Sequence, residues 1–280
     1  MTPSTYSIAG CDLVRGEWGV AAQSRFLAIG SLTCWAEAGV GAIATQAWIN
    51  RDFGPDGLDL LRSGQEADAV VAALTSSDPG RAQRQVGIVD ARGGSASYTG
   101  ARCLDWAGSR TGHAYAVQGN ILVSKATVEA IEDAFVSSAG AVLAERLLTA
   151  LIAGQAAGGD RRGQQSAALL VARRGAGYGG CDIAVDLRVD DHPEPVEELA
   201  RLLRLHSLYF GETPPEEWIP VAGELEHEVL SALAGLGYAT GDLGADLERW
   251  AGFVNLEERV NGAERIDPVV LGELRATVRS

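Results

Sequence analysis

Thr5-Tyr6-Ser7-Ile8-Ala9 is the stretch around which the chain is organised. It is a short β-prone run near the amino terminus. In a strand, Thr5 and Ser7 point to one face while Tyr6 and Ile8 point to the other. A packed strand face normally carries no hydroxyls, so this alternation needs a reason. One reading is ordinary: the hydroxyls bond neighbouring backbone, or the strand is an edge that shows one face to water. The other is chemical: a Thr at the start of a chain has its own α-amine nearby, with a free pKa near ~7.7–8.0. Such an amine can act as base for the adjacent hydroxyl.

Outward from this run, Asp12 to Glu17 is polar and contains Gly16, and Trp18 to Ala22 reads as a second strand closing a hairpin. Ser31 to Trp35 and Val40 to Ala47 read as two further strands about a turn at Ala38-Gly39. The period then changes from two to that of a helix. Gly57 to Leu61 and Glu66 to Leu74 are helical, and Asp78-Pro79-Gly80 stops the second. Strands return at Gln85 to Val89, Ser95 to Thr99 and Ala116 to Leu122. Helices follow at Lys125 to Ser137 and Val142 to Ala153, then strands at Ser166 to Ala172 and Ile183 to Val189, then a helix at Pro195 to Leu208. Tight turns between neighbouring strands make them antiparallel, which excludes a doubly wound parallel sheet. Two sheets packed face to face, each covered outside by helices, would bury all these apolar faces. Gly211 to Pro215 has the composition of a stiff linker, and short helical patterns lie beyond it. The expected domains are residues 1–211 and a small helical appendage, 212–280.

The chain has 280 residues, 46% of them hydrophobic, and a net charge of -14. That size suits one large domain, or a large and a small one. The charge argues against nucleic acid and against an anionic membrane surface as partners. No apolar run reaches the roughly 18 residues of a membrane helix, and Met1 to Tyr6 lack the pattern of a signal peptide. The expectation is a cytoplasmic protein. Cys11, Cys34, Cys103 and Cys181 form no Cys-x-x-Cys pair, and His113, His192, His206 and His227 have no metal-ligand spacing. No metal and no cofactor is expected.

The densest polar cluster runs from Gly158 through Asp160, Arg162 and Gln165 to Ser166, joining a helix to a strand. Arg162 offers a planar fork for a carboxylate, that of a substrate or that of Asp160. Both readings stay open. In Gln118-Gly119-Asn120 two amides sit in an apolar strand; Asn120 is an oxyanion-hole candidate, or a core residue that satisfies backbone. Ser24-Arg25 follows the second strand, Gln46 ends the fourth, and Asp186 to Asp191 alternates charge as a solvated face would.

Ser7-Ile8-Ala9, Trp18 to Ala21, Ser24-Arg25-Phe26, Gly39 to Gln46, Gln118 to Leu122, Gly158 to Ser166 and Asp186 to Asp190 together resemble the domain-of-unknown-function 1028 family, from about Thr5 to Phe210. The resemblance implies the N-terminal-nucleophile (Ntn) hydrolase superfamily and a four-layer αββα sandwich of two antiparallel sheets, an α+β fold. The tail, with Trp218 to Val221, Leu236-Gly237-Tyr238, Trp250, Asn255 to Arg259 and Ile266-Asp267-Pro268, resembles a peptidoglycan-binding domain often attached to that family. The resemblance further implies Thr5 as nucleophile of an amide-bond hydrolase. Family members often begin Met-Thr, whereas here Met1-Thr2-Pro3-Ser4 precedes Thr5, so the expectation includes their removal. On this reading Asn120 helps hold the oxyanion, and Asp160 and Arg162 position the substrate or the amine. Ser24, Arg25, Gln46 and Gln165 line the pocket. The expected partner is a small-molecule or peptide substrate, and the expected assembly is a homo-oligomer. The alternative from another class is a binding or scaffold protein that keeps the fold without the chemistry.

Overall fold

The run that opens the sequence becomes β1 (Thr5–Asp12), which turns at the polar stretch into β2 (Glu17–Ser24). In this computed structural model, which describes residues 5–279, β1 is not an edge. Its other side pairs with β8 (Tyr115–Asn120), and the six-stranded antiparallel sheet has the order β10 (Ile183–Val189), β9 (Ser166–Arg173), β2, β1, β8, β7 (Gly108–Gly112). The edge-strand explanation of the Thr5 and Ser7 hydroxyls therefore fails, because both sides of β1 are hydrogen-bonded. Both hydroxyl residues are fully buried.

A four-stranded antiparallel sheet has the order β3 (Cys34–Glu37), β4 (Gly41–Ala47), β5 (Arg84–Asp90), β6 (Ser95–Thr99). Ala9, Cys11 and Val20 of the first sheet meet Ala42, Ala44 and Val89 of the second in one apolar cluster. These side chains are small, so the sheets approach closely and leave little volume between them. Ser97 donates to Ser109 at 2.7 Å and ties β6 to β7. Two local expectations change. Ser31 to Thr33, read as strand, lies in the single turn α1 (Gly30–Thr33), and extended backbone begins at Cys34. β7 was not foreseen, because Gly108-Ser-Arg-Thr-Gly112 is a half-exposed outer strand without apolar alternation.

Helices α2 (Phe53–Arg62) and α3 (Ala67–Ser77) bury Phe53, Leu58, Val70 and Leu74 against Ile43, Val86 and Ile88 of the four-stranded sheet. Helices α4 (Ala126–Ser137) and α5 (Leu143–Ala156) pack on the six-stranded sheet. Gly10 and Gly19 make room for them. A Cβ at Gly10 would lie 2.9 Å from Phe135 Cζ, and one at Gly19 only 2.8 Å from Leu147 Cδ1. Leu147 is fully buried, so its truncation to Ala would cost about 2–5 kcal/mol. Tyr6 donates its hydroxyl to Leu151 O at 3.2 Å, which fixes α5 over the strand that begins at Thr5.

The chain divides into two compact units between Leu202 and Leu203, inside α6 (Pro195–Phe210). The second unit contains α7 (Glu224–Gly235), α8 (Leu243–Phe253) and α9 (Pro268–Arg279), with a two-residue strand pair, Ile219–Pro220 and Arg265–Ile266. Its core is Val229, Leu233, Leu247, Trp250, Val270 and Leu274. The buried pair Arg259–Asp267 closes at 2.8 Å, and the same guanidinium holds the Ser207 and Leu208 carbonyls. Those carbonyls lie in the last turn of α6, where Ser207 O also accepts Gly211 N at 3.1 Å. Among the described residues, no helix is long and apolar enough to cross a membrane.

Candidate functional site

Antiparallel register sets a row of polar side chains at one rim of the six-stranded sheet. Thr5 stands opposite Ser24 on β2 and opposite Asn120 on β8, and Ser24 stands opposite Ser166 on β9. Directly paired residues project to the same face. Thr5 donates its hydroxyl to Ser24 Oγ at 3.3 Å. Ser166 donates to Phe26 O and accepts from Ile29 N at 3.1 Å, so it shapes the loop that leaves β2.

The strands around Thr5 end in unusual backbone. Ala47 follows Gln46 with φ 65°, Ile121 follows Asn120 with φ 54°, and Ala28 lies in the loop after Ser24 with φ 52°. A left-handed β-branched residue such as Ile121 is a genuine outlier, and each such position costs on the order of 1–3 kcal/mol. The strain at Ile121 swings the chain sharply, so that Leu122 bridges to Asp160 while Ile121 O accepts Arg161 N at 3.0 Å. The end of β8 is thereby pinned to the Gly158–Ser166 loop.

Behind Thr5 lies a seam of buried amides and hydroxyls between the two sheets. Gln46, on β4, donates Nε2 to Thr5 O at 3.1 Å and to Gln85 Oε1 at 2.8 Å. Asn120 donates Nδ2 to Gln85 Oε1 at 3.0 Å. Ser7 donates to Gln46 Oε1, and Gln118 donates to Ser7 Oγ at 2.6 Å. Gln46, Gln85, Gln118 and Ser7 have no exposure. An unmade bond in such a place costs about 1–3 kcal/mol, and Gln118 Oε1 bears that cost, since it has no hydrogen-bond partner among the described residues.

Asp160 is the charged member of the rim, and its side chain is fully buried. Oδ2 accepts Arg25 N at 2.8 Å, Oδ1 accepts Arg162 N at 2.8 Å, and the Arg162 guanidinium meets Oδ2 at 3.2 Å. Of the two sequence readings of this loop, the internal Asp–Arg pair is what the structure contains. Burial, and then the Asp160 charge, hold the Tyr6 hydroxyl well above the usual tyrosine range, so it stays a neutral donor.

Thr5, Ser24, Asn120 and Gln46 are thus brought together, and Asp160 supports the backbone next to Ser24. Arg25 is exposed and turns its guanidinium to Gln164 O at 2.7 Å. Gln165 joins the rim through its backbone, donating to Ser24 O at 3.0 Å, but its side chain reaches Asp191 at 3.0 Å. Sequence reasoning missed Gln85 as a site residue and gave Ser7 and Gln118 no role there. The one available signal was a polar residue inside an apolar strand, which Gln118 shares with many core amides.

A cavity of about 490 Å³ opens at the other end of β5, lined by Glu66, Asp68, Asp90, Arg92 and His113. Asp90 there is already committed to the amides of Ala67, Arg92 and Gly94. Among the described residues, no group of His, Cys, Asp and Glu is placed to hold a metal ion.

The family model described as a family of unknown function, DUF1028, matches residues 5–199. The model PG_binding_2, named for peptidoglycan binding, matches residues 209–274. A crystal structure of a protein from Silicibacter pomeroyi that bears the same DUF1028 model is 30% identical, with a TM-score of 0.66. The similarity covers 80% of this chain and 93% of that one. No curated protein matches the chain.

Proposed function

This chain belongs to the DUF1028 family of unknown function, and from that premise we propose that its first unit is an Ntn-type hydrolase of amide bonds, with Thr5 as nucleophile. The two sheets and their helices then form the four-layer αββα sandwich of that superfamily. The observation that carries the reading is the position of Thr5. It is the first residue of a central strand, its hydroxyl bonds Ser24, and its carbonyl is held by Gln46 from the opposite sheet.

Thr5 is fully buried, and it has no free α-amine while Met1 to Ser4 precede it, so the reading requires their removal. Those residues lie outside the described part of the chain. Cleavage ahead of Thr5 would create an α-amine one bond from its Cα, with a pKa near ~7.7–8.0. The amine takes the hydroxyl proton as Oγ attacks the substrate carbonyl carbon. The resulting oxyanion is held by a carboxamide N–H of Asn120, which stands directly across from Thr5. The amine passes its proton to the leaving nitrogen, the C–N bond breaks, and an ester on Thr5 remains. Water, activated by the same amine, hydrolyses that ester. The substrate is a small molecule or a peptide. Asp160 and Arg162 hold the loop beside Ser24, with Arg25 and Gln165 at the mouth.

The burial of Thr5 also favours a second reading, a binding or scaffold protein that keeps the fold without processing. Intact-mass spectrometry separates the two. The hydrolase reading expects a dominant species that starts at Thr5, and an acyl adduct on Thr5 after exposure to p-nitrophenyl acetate. Thr5→Ala should leave the fold intact and abolish both the adduct and turnover on a panel of amides and acylated amino acids. A chain that keeps its first residues and gains no adduct would sink the hydrolase reading.

A further inference from the structure

We propose that Gln85 is the positioning residue of this site: it fixes the direction of the carboxamides of Asn120 and Gln46 and so aims an N–H at the Thr5 rim. The inference rests on the hydrolase reading for its kinetic consequence, but not for its geometry. Gln85 sits at the start of β5 in the four-stranded sheet, directly across from Gln46. It is fully buried. Its Nε2 donates to Gly119 O at 2.8 Å, Thr99 Oγ1 at 2.9 Å and Gly108 O at 3.2 Å.

The orientation of an amide is normally ambiguous, because its oxygen and nitrogen look alike. Here backbone decides it. Two of the three acceptors around Gln85 Nε2 are peptide carbonyls, which cannot donate. The nitrogen must therefore face them, and Oε1 must face the other way, toward Gln46 and Asn120. Only donors satisfy that oxygen, so both neighbours must present nitrogen to it, as they do at 2.8 and 3.0 Å. The Thr5 carbonyl imposes the same choice on Gln46 from its other side. With its nitrogen anchored on Gln85, Asn120 would offer its amino group rather than its oxygen to a group bound at Thr5. An inverted Asn120 would present an oxygen lone pair to an oxyanion and oppose the reaction. Gln85 touches neither Thr5 nor any atom that reacts, so its action is through its neighbours.

The experiment uses the full-length, processed protein with p-nitrophenyl acetate, and the variants Gln85→Met and Gln85→Glu. Met keeps the volume and loses every bond. At pH 8 its kcat should fall at least ~10-fold while KM stays within ~2-fold, the pattern of a lost transition-state interaction. A carboxylate at position 85 would face the Gly108 and Gly119 carbonyls and be disfavoured, so its pKa rises. Protonated, it regains one donor. Gln85→Glu should therefore recover relative to wild type as the pH falls from 8 toward 5, whereas Gln85→Met should not. A merely structural role predicts no such opposed pH profiles at equal folded fraction, which circular dichroism monitors. A kcat unchanged in both variants, or a loss that tracks unfolding, would overturn the proposal.

A second readout stands if wild type shows no Thr5-dependent adduct and the hydrolase reading itself fails. The side-chain amide protons of Asn120 and Gln46, assigned by Asn120→Asp and Gln46→Glu, should exchange slowly in wild type. In Gln85→Met they should exchange at least ~10-fold faster. Unchanged exchange would overturn the positioning role without reference to catalysis.

Discussion

Asp160→Asn tests how the rim is held, and its cost follows from a few bonds. The wild-type carboxylate accepts one backbone N–H on each oxygen, Arg25 N on Oδ2 and Arg162 N on Oδ1, both at 2.8 Å. Asparagine has one oxygen and can keep only one of them. The bond lost is to a charged acceptor, worth about 1.5–3 kcal/mol, and the orphaned N–H now faces an NH2 group. The ion pair with Arg162 adds less, because that guanidinium is 32% exposed; after solvent screening it contributes about 0–1 kcal/mol. The sum is about 3 kcal/mol. In a unit that ends at Leu202, this corresponds to a fall in melting temperature of about 6–12 °C. Arg162→Lys is the control: it leaves both backbone bonds in place and removes only the fork, so about 1 kcal/mol is expected. Thermal melts and urea titrations of the three proteins by circular dichroism decide the matter. If Asp160→Asn loses less than about 1 kcal/mol, or no more than Arg162→Lys, the carboxylate does not organise the loop and the reasoning is refuted.

Asp78 is held below the usual carboxylate range, chiefly by its hydrogen bond from Arg84 at 2.6 Å. A depressed folded-state pKa stabilises above the unfolded value near ~3.9 and is lost as pH falls through the folded value. Wild type should therefore lose melting temperature below about pH 4 more steeply than Asp78→Asn, and equal slopes would exclude this pair as an acid-labile contact. Burial pushes the Cys11 and Cys34 thiols up to about 12, whereas Cys181 is exposed. Since the thiolate is the nucleophile, iodoacetamide at pH 8 should modify native Cys181 first, the half-buried Cys34 more slowly, and Cys11 only on unfolding. Peptide mass mapping over time checks the order, and Cys34 reacting as fast as Cys181 would contradict it.

The elements were legible where period and punctuation agree. The β1–β2 hairpin, the strand of Gln85 to Val89 and the helices from Leu143 and Pro195 stand within a few residues of where the pattern puts them. They failed where tertiary pairing overrides local signal. β7 exists because β8 offers it a partner, and Ser31 to Thr33 coils because the chain must cross from one sheet to the other. The site was legible by parts. A Thr at the start of a strand and an Asn at the end of another are visible in sequence, but that they face each other is a fact of register. Gln85 left no trace, since its meaning comes from Gln46 across the ladder and Asn120 on a different sheet. Gly87 is similar. It reads as a weak spot in a strand, yet a Cβ there would lie 1.8 Å from Gln118 Oε1, so the gap admits the amide that bonds Ser7.

The energetics of the seam bear on the choice between enzyme and scaffold. Hydrogen-bonded buried amides add little net stability, about 0.5–1.5 kcal/mol per bond, and apolar side chains of similar shape would serve the core as well. The sheets already show that alternative along the same interface, where Ala9, Val20, Ala44 and Val89 pack without polar atoms. The polar side chains are instead concentrated beside Thr5, and the left-handed Ala47 and Ile121 stand directly after Gln46 and Asn120. Strain of on the order of 1–3 kcal/mol at each position opposes folding and persists only where the surroundings over-determine it. The turn at Ile121 also has a structural use, since it brings Leu122 to Asp160 and Ile121 O to Arg161 N. On the proposed hydrolase reading, a site that must hold an N–H group of Asn120 rigidly near the Thr5 hydroxyl gains from both the polar seam and the strain, because preorganised donors need no rearrangement when charge develops. The cost in this fold is thus concentrated beside Thr5, where the proposed hydrolase would need it.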